Sequence, residues 1–214
     1  MVVFDRVTAG ARGIAGCLEV SFTVPRATSY VLVARPGSGE QAVVRCVRGE
    51  LRPEEGRVRV FGVDPRRERR AVAKRIASGE LVVREGRFER KPEATVFATA
   101  SDPALAGPAD RVGFLAEGRL VLDDEPREVA RRFRRIRYVN EITEARTEYG
   151  NELDLFDAVR VRVRGWGVDA VVSNFDESAF GRFRETEGVK DAQALPMTLT
   201  EIFEAVVGGH NPRR

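Results

Sequence analysis

The stretch that decides the fold is YVLVARPGSGEQAVVRCVRGELRPEEGRVRVFG, residues 30–62. It opens with an apolar, largely β-branched run, passes through a turn rich in proline and glycine, and continues with Val43, Val44 and Val47. The apolar run predicts a strand, and the spacing of the valines predicts a helix. A strand, a glycine loop and a helix in this order form the layout of a phosphate-binding loop.

The loop keeps this layout but not the side chains that bind phosphate. In a working loop, G-x-x-x-x-G-K-[ST], backbone N–H groups and a lysine hold the phosphates and a hydroxyl reaches Mg²⁺. The eight residues here are Ala34, Arg35, Pro36, Gly37, Ser38, Gly39, Glu40 and Gln41. Glu40 stands at the lysine position and Gln41 at the hydroxyl position. We therefore expect the shape of the loop without a bound nucleotide, although the same residues also fit an ordinary turn before a helix.

Three segments around the loop carry a family resemblance. SFTVP at residues 21–25 precedes the loop, whereas LRPEEGRVRVFGVDP at 51–65 and DRVGFLAEGRLV at 110–121 follow it. In this order they resemble the ATP-binding subunits of ABC transporters, over residues 1–137. The resemblance implies an α/β fold: a truncated P-loop-type core with a mixed sheet and N-terminal antiparallel strands.

The same resemblance implies that several functional parts are missing. In the family, a helical subdomain with an LSGGQ-type signature follows the FGVDP segment, whereas here residues 66–76 run directly into SGELVVREG. On this alignment Arg84 replaces the Mg²⁺-binding aspartate, Glu85 keeps the position of the general base, and Ser101 replaces the switch histidine. We expect no catalytic residue, no metal, no cofactor and no turnover.

The charges at two of these positions are exchanged relative to the family. The loop lysine is replaced by Glu40 and the acidic-strand aspartate by Arg84. One hypothesis is that the two residues form an ion pair across the empty site. The alternative is that both point to solvent.

From residue 138 onward the pattern predicts a second unit, residues 138–214. A polar helical connector at residues 140–154 leads to the strand AVRVRVRG, in which Val159, Val161 and Val163 face a core and the arginines face away.

The end of the chain completes this small α+β unit. Phe180 and Phe183 indicate one helix, residues 189–195 indicate a strand, and Thr198 with Glu201 forms a capping box that begins the last helix. The ending LPMTLTEIFEAVVGG resembles the close of export-type ABC subunits that carry a small C-terminal domain.

Composition excludes several classes of protein. The chain has 214 residues with 36 Lys and Arg against 33 Asp and Glu, so its net charge of +3 is too small to argue for nucleic acid as a partner, although a pI of about 9.2 leaves room for a basic patch. Cys17 and Cys46 give neither a disulfide framework nor a metal spacing, and the single histidine, His210, lies in a polar tail. No signal peptide or long apolar run is visible, which predicts a cytoplasmic protein.

Three functions remain open at this stage. The first is a catalytically inactive ABC-type subunit that acts by protein contact in a membrane transport complex, at the inner face of the membrane. Its partner would be an intact ABC ATP-binding subunit or an ABC permease, with a homo-oligomer as an alternative. The second is a residual ATP-binding switch or enzyme that uses Arg84 and Glu85. The third is a basic adaptor for anionic lipid or nucleic acid, which would use an arginine-rich helix at residues 126–137.

Overall fold

The structure is a computed structural model of the chain and describes residues 1–140, 153–165 and 167–208. Its described residues form two compact units, Met1–Pro126 and Arg127–Arg214. The strands are β1 (Val2–Ala11), β2 (Ile14–Val24), β3 (Ser29–Ala34), β4 (Glu55–Val60), β5 (Leu81–Glu85), β6 (Thr95–Ala100), β7 (Arg111–Ala116), β8 (Arg119–Asp124), β9 (Arg134–Asn140), β10 (Ala158–Arg164), β11 (Gly167–Val172) and β12 (Val189–Pro196). The α-helices are α1 (Glu40–Val47), α2 (Arg69–Ala77), α3 (Pro126–Arg132), α4 (Glu177–Arg184) and α5 (Leu199–Gly208).

The first unit contains a mixed sheet and an antiparallel sheet. The mixed sheet has the order β5-β6-β3-β7-β8, with β8 antiparallel and the other strands parallel. The antiparallel sheet has the order β2-β1-β4. Every residue of β3 and β6 is buried, as expected for parallel strands covered on both faces. The predicted α/β core with N-terminal antiparallel strands is therefore confirmed.

Aromatic rings join these two sheets in the core of the first unit. Phe22 of β2 stacks on Phe4 of β1, with ring centroids 4.5 Å apart. It also stacks on Tyr30 of β3 and Phe97 of β6, at 4.9 and 5.6 Å. Such pairs contribute about 0.5–1.5 kcal/mol each beyond the burial of their area.

A short connection joins β4 of the antiparallel sheet to β5 of the mixed sheet. Residues 61–80, between β4 and β5, contain the single helix α2. Phe61 at the start of this connection is buried and lies beneath the guanidinium groups of Arg26 and Arg75, at 5.4 and 4.6 Å from the ring centroid. The predicted absence of a helical subdomain agrees with this short connection.

The second unit is an α+β unit built on a four-stranded antiparallel sheet with the order β10-β11-β9-β12. One face of the central strands packs with Phe180 and Phe183 of α4 through apolar residues, namely Ile136, Tyr138, Val168, Ala170 and Val172. Asp176 caps α4 by accepting a hydrogen bond from the Ala179 N–H at 2.7 Å. The predicted capping box of α5 is present, since Thr198 Oγ1 accepts from the Glu201 N–H at 3.2 Å and Glu201 Oε2 accepts from the Thr198 N–H at 2.9 Å.

Two predictions for this unit are wrong. The arginine-rich helix at residues 126–137 ends at Arg132, because residues 134–140 pair on both sides as β9 and alternate, with Ile136 facing the core. Strand β10 does not present a buried valine face: Val161 and Val163 are 37% and 55% exposed, because β10 lies at the edge of the sheet. The predicted connector falls largely on residues 141–152 and His210 on residues 209–214, both outside the described residues.

Candidate functional site

The loop between β3 and α1 has the predicted geometry. Ala34 ends the buried strand, and the Ser38 N–H donates to the Arg35 carbonyl oxygen at 3.0 Å to close a turn. Gly37 and Gly39 have φ angles of 83° and 100°, which glycine adopts readily. The Gly39 carbonyl then accepts the first hydrogen bonds of α1, from the Ala42 and Val43 N–H groups at 3.1 and 3.3 Å.

Glu40 folds back over this loop. Its Oε1 accepts a hydrogen bond from the Gly37 N–H at 3.2 Å, and its Oε2 is buried without a hydrogen-bond partner. Phosphate loops bind anions through such backbone N–H groups at a helix N-terminus. In this chain the loop's own carboxylate takes one of them. Gln41, the next residue, is exposed.

Backbone contacts hold the loop in place. A Cβ atom on Gly39 would clash with the Gly16 carbonyl oxygen of β2, and it would lie 3.3 Å from the Gly118 Cα. The Gly118 N–H donates to the Ser38 carbonyl oxygen at 2.8 Å, and the Leu18 N–H donates to the Gly118 carbonyl oxygen at 2.8 Å. The loop therefore packs against β2 and the β7–β8 turn through main-chain atoms.

The carboxyl ends of β3, β5 and β6 bring the other candidate residues to the same edge of the sheet. Arg84 and Glu85 lie at the end of β5, in register with Ala98 and Thr99 of β6. Ser101 follows β6 directly and is exposed. Since β6 lies between β5 and β3, Arg84 and the loop are separated by two strand spacings, roughly 10 Å.

This strand order explains why the hypothesis of a Glu40–Arg84 ion pair is wrong. Glu40 accepts from Gly37, and no ion pair in the described part of the chain joins it to Arg84. The neighbour Glu85 is paired instead, with its Oε1 2.9 Å from Arg48 Nη1. Arg48 is the residue that caps the carboxyl end of α1. Sequence reasoning missed this pair, because nothing in the sequence places the end of α1 beside the end of β5.

A second set of contacts, centred on Asp110, lies at the amino end of β3, the strand that leads into the loop. Asp110 Oδ2 accepts from the Ser29 N–H at 2.8 Å and from the Ser29 hydroxyl at 2.7 Å, and Oδ1 accepts from Arg90 Nη2 at 2.8 Å. Burial acts to raise the pKa of Asp110, but the hydrogen bonds from Ser29 and the charge of Arg90 outweigh it and lower the pKa. The only sequence signal for this role was the position of Asp110 before a strand.

The two cysteines do not supply a reactive thiolate. Cys17 and Cys46 are buried and free. Burial raises the pKa of Cys46 to about 12 and also raises the pKa of Cys17. Both thiols are thus protonated at neutral pH and act as small apolar side chains.

Among the described residues, no group of three or more His, Cys, Asp or Glu side chains is arranged to hold a metal ion. No helix in residues 1–140, 153–165 and 167–208 is long and apolar enough to cross a membrane.

The sequence and fold of the chain were compared with those of known proteins. No family model matches the chain. The chain is similar to a solved structure described as the ATP-binding subunit of an ABC transporter, with a TM-score of 0.50 and 12% identity over 61% of this chain and 92% of that one. The chain has an ABC ATP-binding-cassette-like fold. A bacterial Atm1-family ABC exporter with ATP bound also matches, with a TM-score of 0.49 and 13% identity over 61% of this chain and 39% of the exporter.

One sequence relative agrees with this fold. Over 45 residues the chain is 42% identical to the cytochrome c biogenesis ATP-binding export protein CcmA of Agrobacterium fabrum (strain C58 / ATCC 33970). The matched segment is 21% of this chain and 21% of the relative. The resemblance to ABC ATP-binding subunits is confirmed by these similarities.

The prediction that the chain is not an enzyme, with no turnover, is wrong. The proteins that it resembles are ABC ATPases, which are enzymes. None of these similarities shows this chain to be degenerate.

Proposed function

We propose that the chain is an ABC-transporter-related, ATPase-like subunit that acts through protein contacts in a membrane transport complex. Its cassette-like fold and its similarity to an ATP-binding export protein support a role in transport. Its partner would be an intact ABC ATP-binding subunit or an ABC permease, and its place the cytoplasmic face of the membrane. One matching cassette structure is described as dimeric, which supports a second copy of this chain as the alternative partner.

The observation that carries the proposal is the apolar edge of the second unit. Strand β10 is the edge strand of its sheet, paired with β11. Val161 and Val163 on this strand are 37% and 55% exposed, and Leu155 is 69% exposed. An edge strand with exposed apolar side chains is a favourable surface for association with another chain. We therefore assign the partner contact to β10.

Lysine substitutions on β10 test this assignment. The full-length double variant Val161→Lys, Val163→Lys should lose most of its co-purification with ABC components from native membranes, since it adds two charges to the proposed contact. The matched control Leu18→Lys, Ile76→Lys changes two apolar residues of the first unit that are 41% and 36% exposed. If β10 is the wrong surface, the β10 variant will be recovered with as much partner as the wild type.

A second candidate function is nucleotide sensing by the loop, which the retained turn and helix start support. We propose that the loop binds nucleotide only weakly, because the charged Glu40 carboxylate lies where phosphate oxygens would bind. Titration of the wild-type chain with ATP by calorimetry tests both statements: no detectable binding would contradict nucleotide sensing, and micromolar affinity would contradict weak binding.

A further inference from the structure

A basic cleft lies beside strand β4 in the first unit, away from the loop. Its volume is about 680 Å³, and its lining includes Leu51, Val58 and Pro65. Its walls carry five arginines, namely Arg52, Arg57, Arg59, Arg66 and Arg67. Neither the loop nor the proposed partner contact uses these arginines.

The local sequence explains why these arginines point outward together. On β4, Arg57 and Arg59 alternate with valines that are buried, so both arginines are exposed. After β4, Asp64 Oδ1 accepts hydrogen bonds from the Arg66 and Arg67 N–H groups at 2.9 and 3.3 Å. This aspartate turn fixes the backbone that carries the second pair of arginines next to the strand.

The carboxylates of the cleft pair with only one of its five arginines among the described residues. Only Glu54 and Asp64 contribute acidic side chains to the lining. Glu54 Oε1 accepts from the Gly10 N–H at 3.1 Å, and Asp64 is occupied by the turn, with Arg67 Nε 3.7 Å from its Oδ2. Among the residues that the structure describes, no ion pair involves Arg52, Arg57 or Arg66.

Two further contacts complete the electrostatic environment. Arg59 Nη1 donates to the Gly62 carbonyl oxygen at 3.2 Å, which leaves its charge uncompensated. Outside the cleft, Asp5 lies opposite Arg57 in the β1–β4 register, and its ion pair is with Arg6 at 3.8 Å. The cleft therefore holds five guanidinium groups against two carboxylates that already have backbone partners.

We propose that this cleft binds an anion that carries more than one phosphate group. Guanidinium groups donate paired hydrogen bonds that match phosphate oxygens, and several such groups in one concave site favour a ligand with several negative charges. The volume lies within the range of about 300–1,000 Å³ that is typical of small-ligand sites. The phosphates belong either to a free polyphosphate or to a phosphorylated lipid headgroup.

Titration of the full chain with inorganic tripolyphosphate at low salt tests the proposal. We expect one saturable site whose affinity falls about tenfold or more in the variant Arg57→Gln, Arg66→Gln, because charge-assisted hydrogen bonds are lost. The matched control is Arg182→Gln, Arg184→Gln, two exposed arginines of α4 that line neither this cleft nor the loop. Thermal unfolding of all three proteins verifies that the variants are folded.

A vesicle experiment distinguishes the two sources of phosphate. Phosphatidylcholine vesicles are compared with vesicles that also contain phosphatidylinositol bisphosphate. Binding to the second kind that disappears in the cleft variant but not in the control assigns the site to a lipid headgroup, whereas tripolyphosphate binding without vesicle binding assigns it to a free ligand. Equal losses in both variants, no binding of tripolyphosphate or vesicles, or a preference for a single-stranded oligonucleotide over tripolyphosphate would overturn the proposal.

Discussion

The loop at residues 34–41 and the cleft beside β4 lie in the same unit. Each has one property of a phosphate-binding site: the loop has the backbone shape, and the cleft has the positive charge. The loop has a glycine turn and a helix start, but its anion is the Glu40 carboxylate. The cleft has five arginines and no helix N-terminus. The difference shows that backbone shape and side-chain charge are set by separate contacts. Main-chain packing against Gly16 and Gly118 holds the loop whatever charge it carries.

The largest change in the free energy of unfolding is expected from Gly39→Ala, which tests whether main-chain packing holds the loop in its conformation. The added methyl group would clash with the Gly16 carbonyl, and φ is 100° at this position. We expect a loss of at least about 3 kcal/mol in the free energy of unfolding, measured by urea denaturation. Gly37→Ala is the control, because φ there is 83° but no atom lies within 4 Å of its Cβ, so it should cost about 1–2 kcal/mol. Similar costs for the two would show that packing does not hold the loop.

Local patterns predicted most of the first unit. The apolar run before the loop, the valine spacing of α1 and the alternation of β4 each specify one element, and all three are present. The position of the Glu40 carboxylate was not predictable, because it depends on the Gly37 N–H within a folded turn. An ion pair between Glu40 and Arg84 would need the ends of β3 and β5 to be neighbours, whereas the sheet places β6 between these two strands.

Tertiary pairing overrode local pattern in the second unit. Residues 134–137 continue an arginine-rich helical pattern in the sequence, yet they form β9 because both β11 and β12 pair with it. Strand β10 has the alternation of a half-buried strand, yet Val161 and Val163 are exposed, because burial depends on which strands lie beside it. Alternation thus predicted the strand but not its place in the sheet.

A smaller loss of stability is expected from Asp110→Ala. This variant tests whether the loop depends on the contacts at the amino end of β3, the strand that leads into it. Asp110 receives three side-chain or backbone hydrogen bonds, from Ser29 and Arg90. We expect Asp110→Ala to cost about 2–3 kcal/mol at neutral pH, measured by chemical denaturation. Asp110→Asn is the control that keeps an acceptor oxygen and removes the charge.

The pH dependence of these variants follows from the lowered pKa of Asp110. A carboxyl group with a lowered pKa in the folded state stabilises the fold above its unfolded pKa, and that stabilisation is lost as pH falls through the lowered value. The difference in stability between wild type and Asp110→Asn should therefore be present at neutral pH, and it should shrink as the pH falls below the ordinary aspartate pKa and through the lowered value. A difference that stays constant would mean that the charge of Asp110 does not contribute.

The third prediction is that removing the charge of Glu40 increases the affinity of the loop for phosphate groups. Glu40→Gln keeps the shape of the side chain and removes its charge, so ATP should bind about tenfold more tightly, a gain of about 1.4 kcal/mol. The full interaction of two charges about 4 Å apart would be larger, about 4 kcal/mol, but solvent and salt screen it. Glu50→Gln is the matched control, because Glu50 is exposed beyond the other end of α1. Equal affinities for the two variants would show that Glu40 does not limit phosphate binding.

The smallest effect concerns the pair between Arg48 and Glu85, whose side chains are 33% and 46% exposed. Water reaches both charges of the Arg48–Glu85 pair, whereas Oε2 of Glu40 is buried. An exposed ion pair contributes under about 1 kcal/mol, and salt reduces that contribution further. We expect a double-mutant cycle of Arg48→Ala and Glu85→Ala to give a coupling energy below about 1 kcal/mol that falls as NaCl is added. A coupling energy of about 3 kcal/mol, unchanged by salt, would instead mean that the pair is buried when the protein is in solution. The sheet edge beside the loop would then be held by charge as well as by backbone packing, and the contrast between the loop and the cleft would no longer hold at this edge.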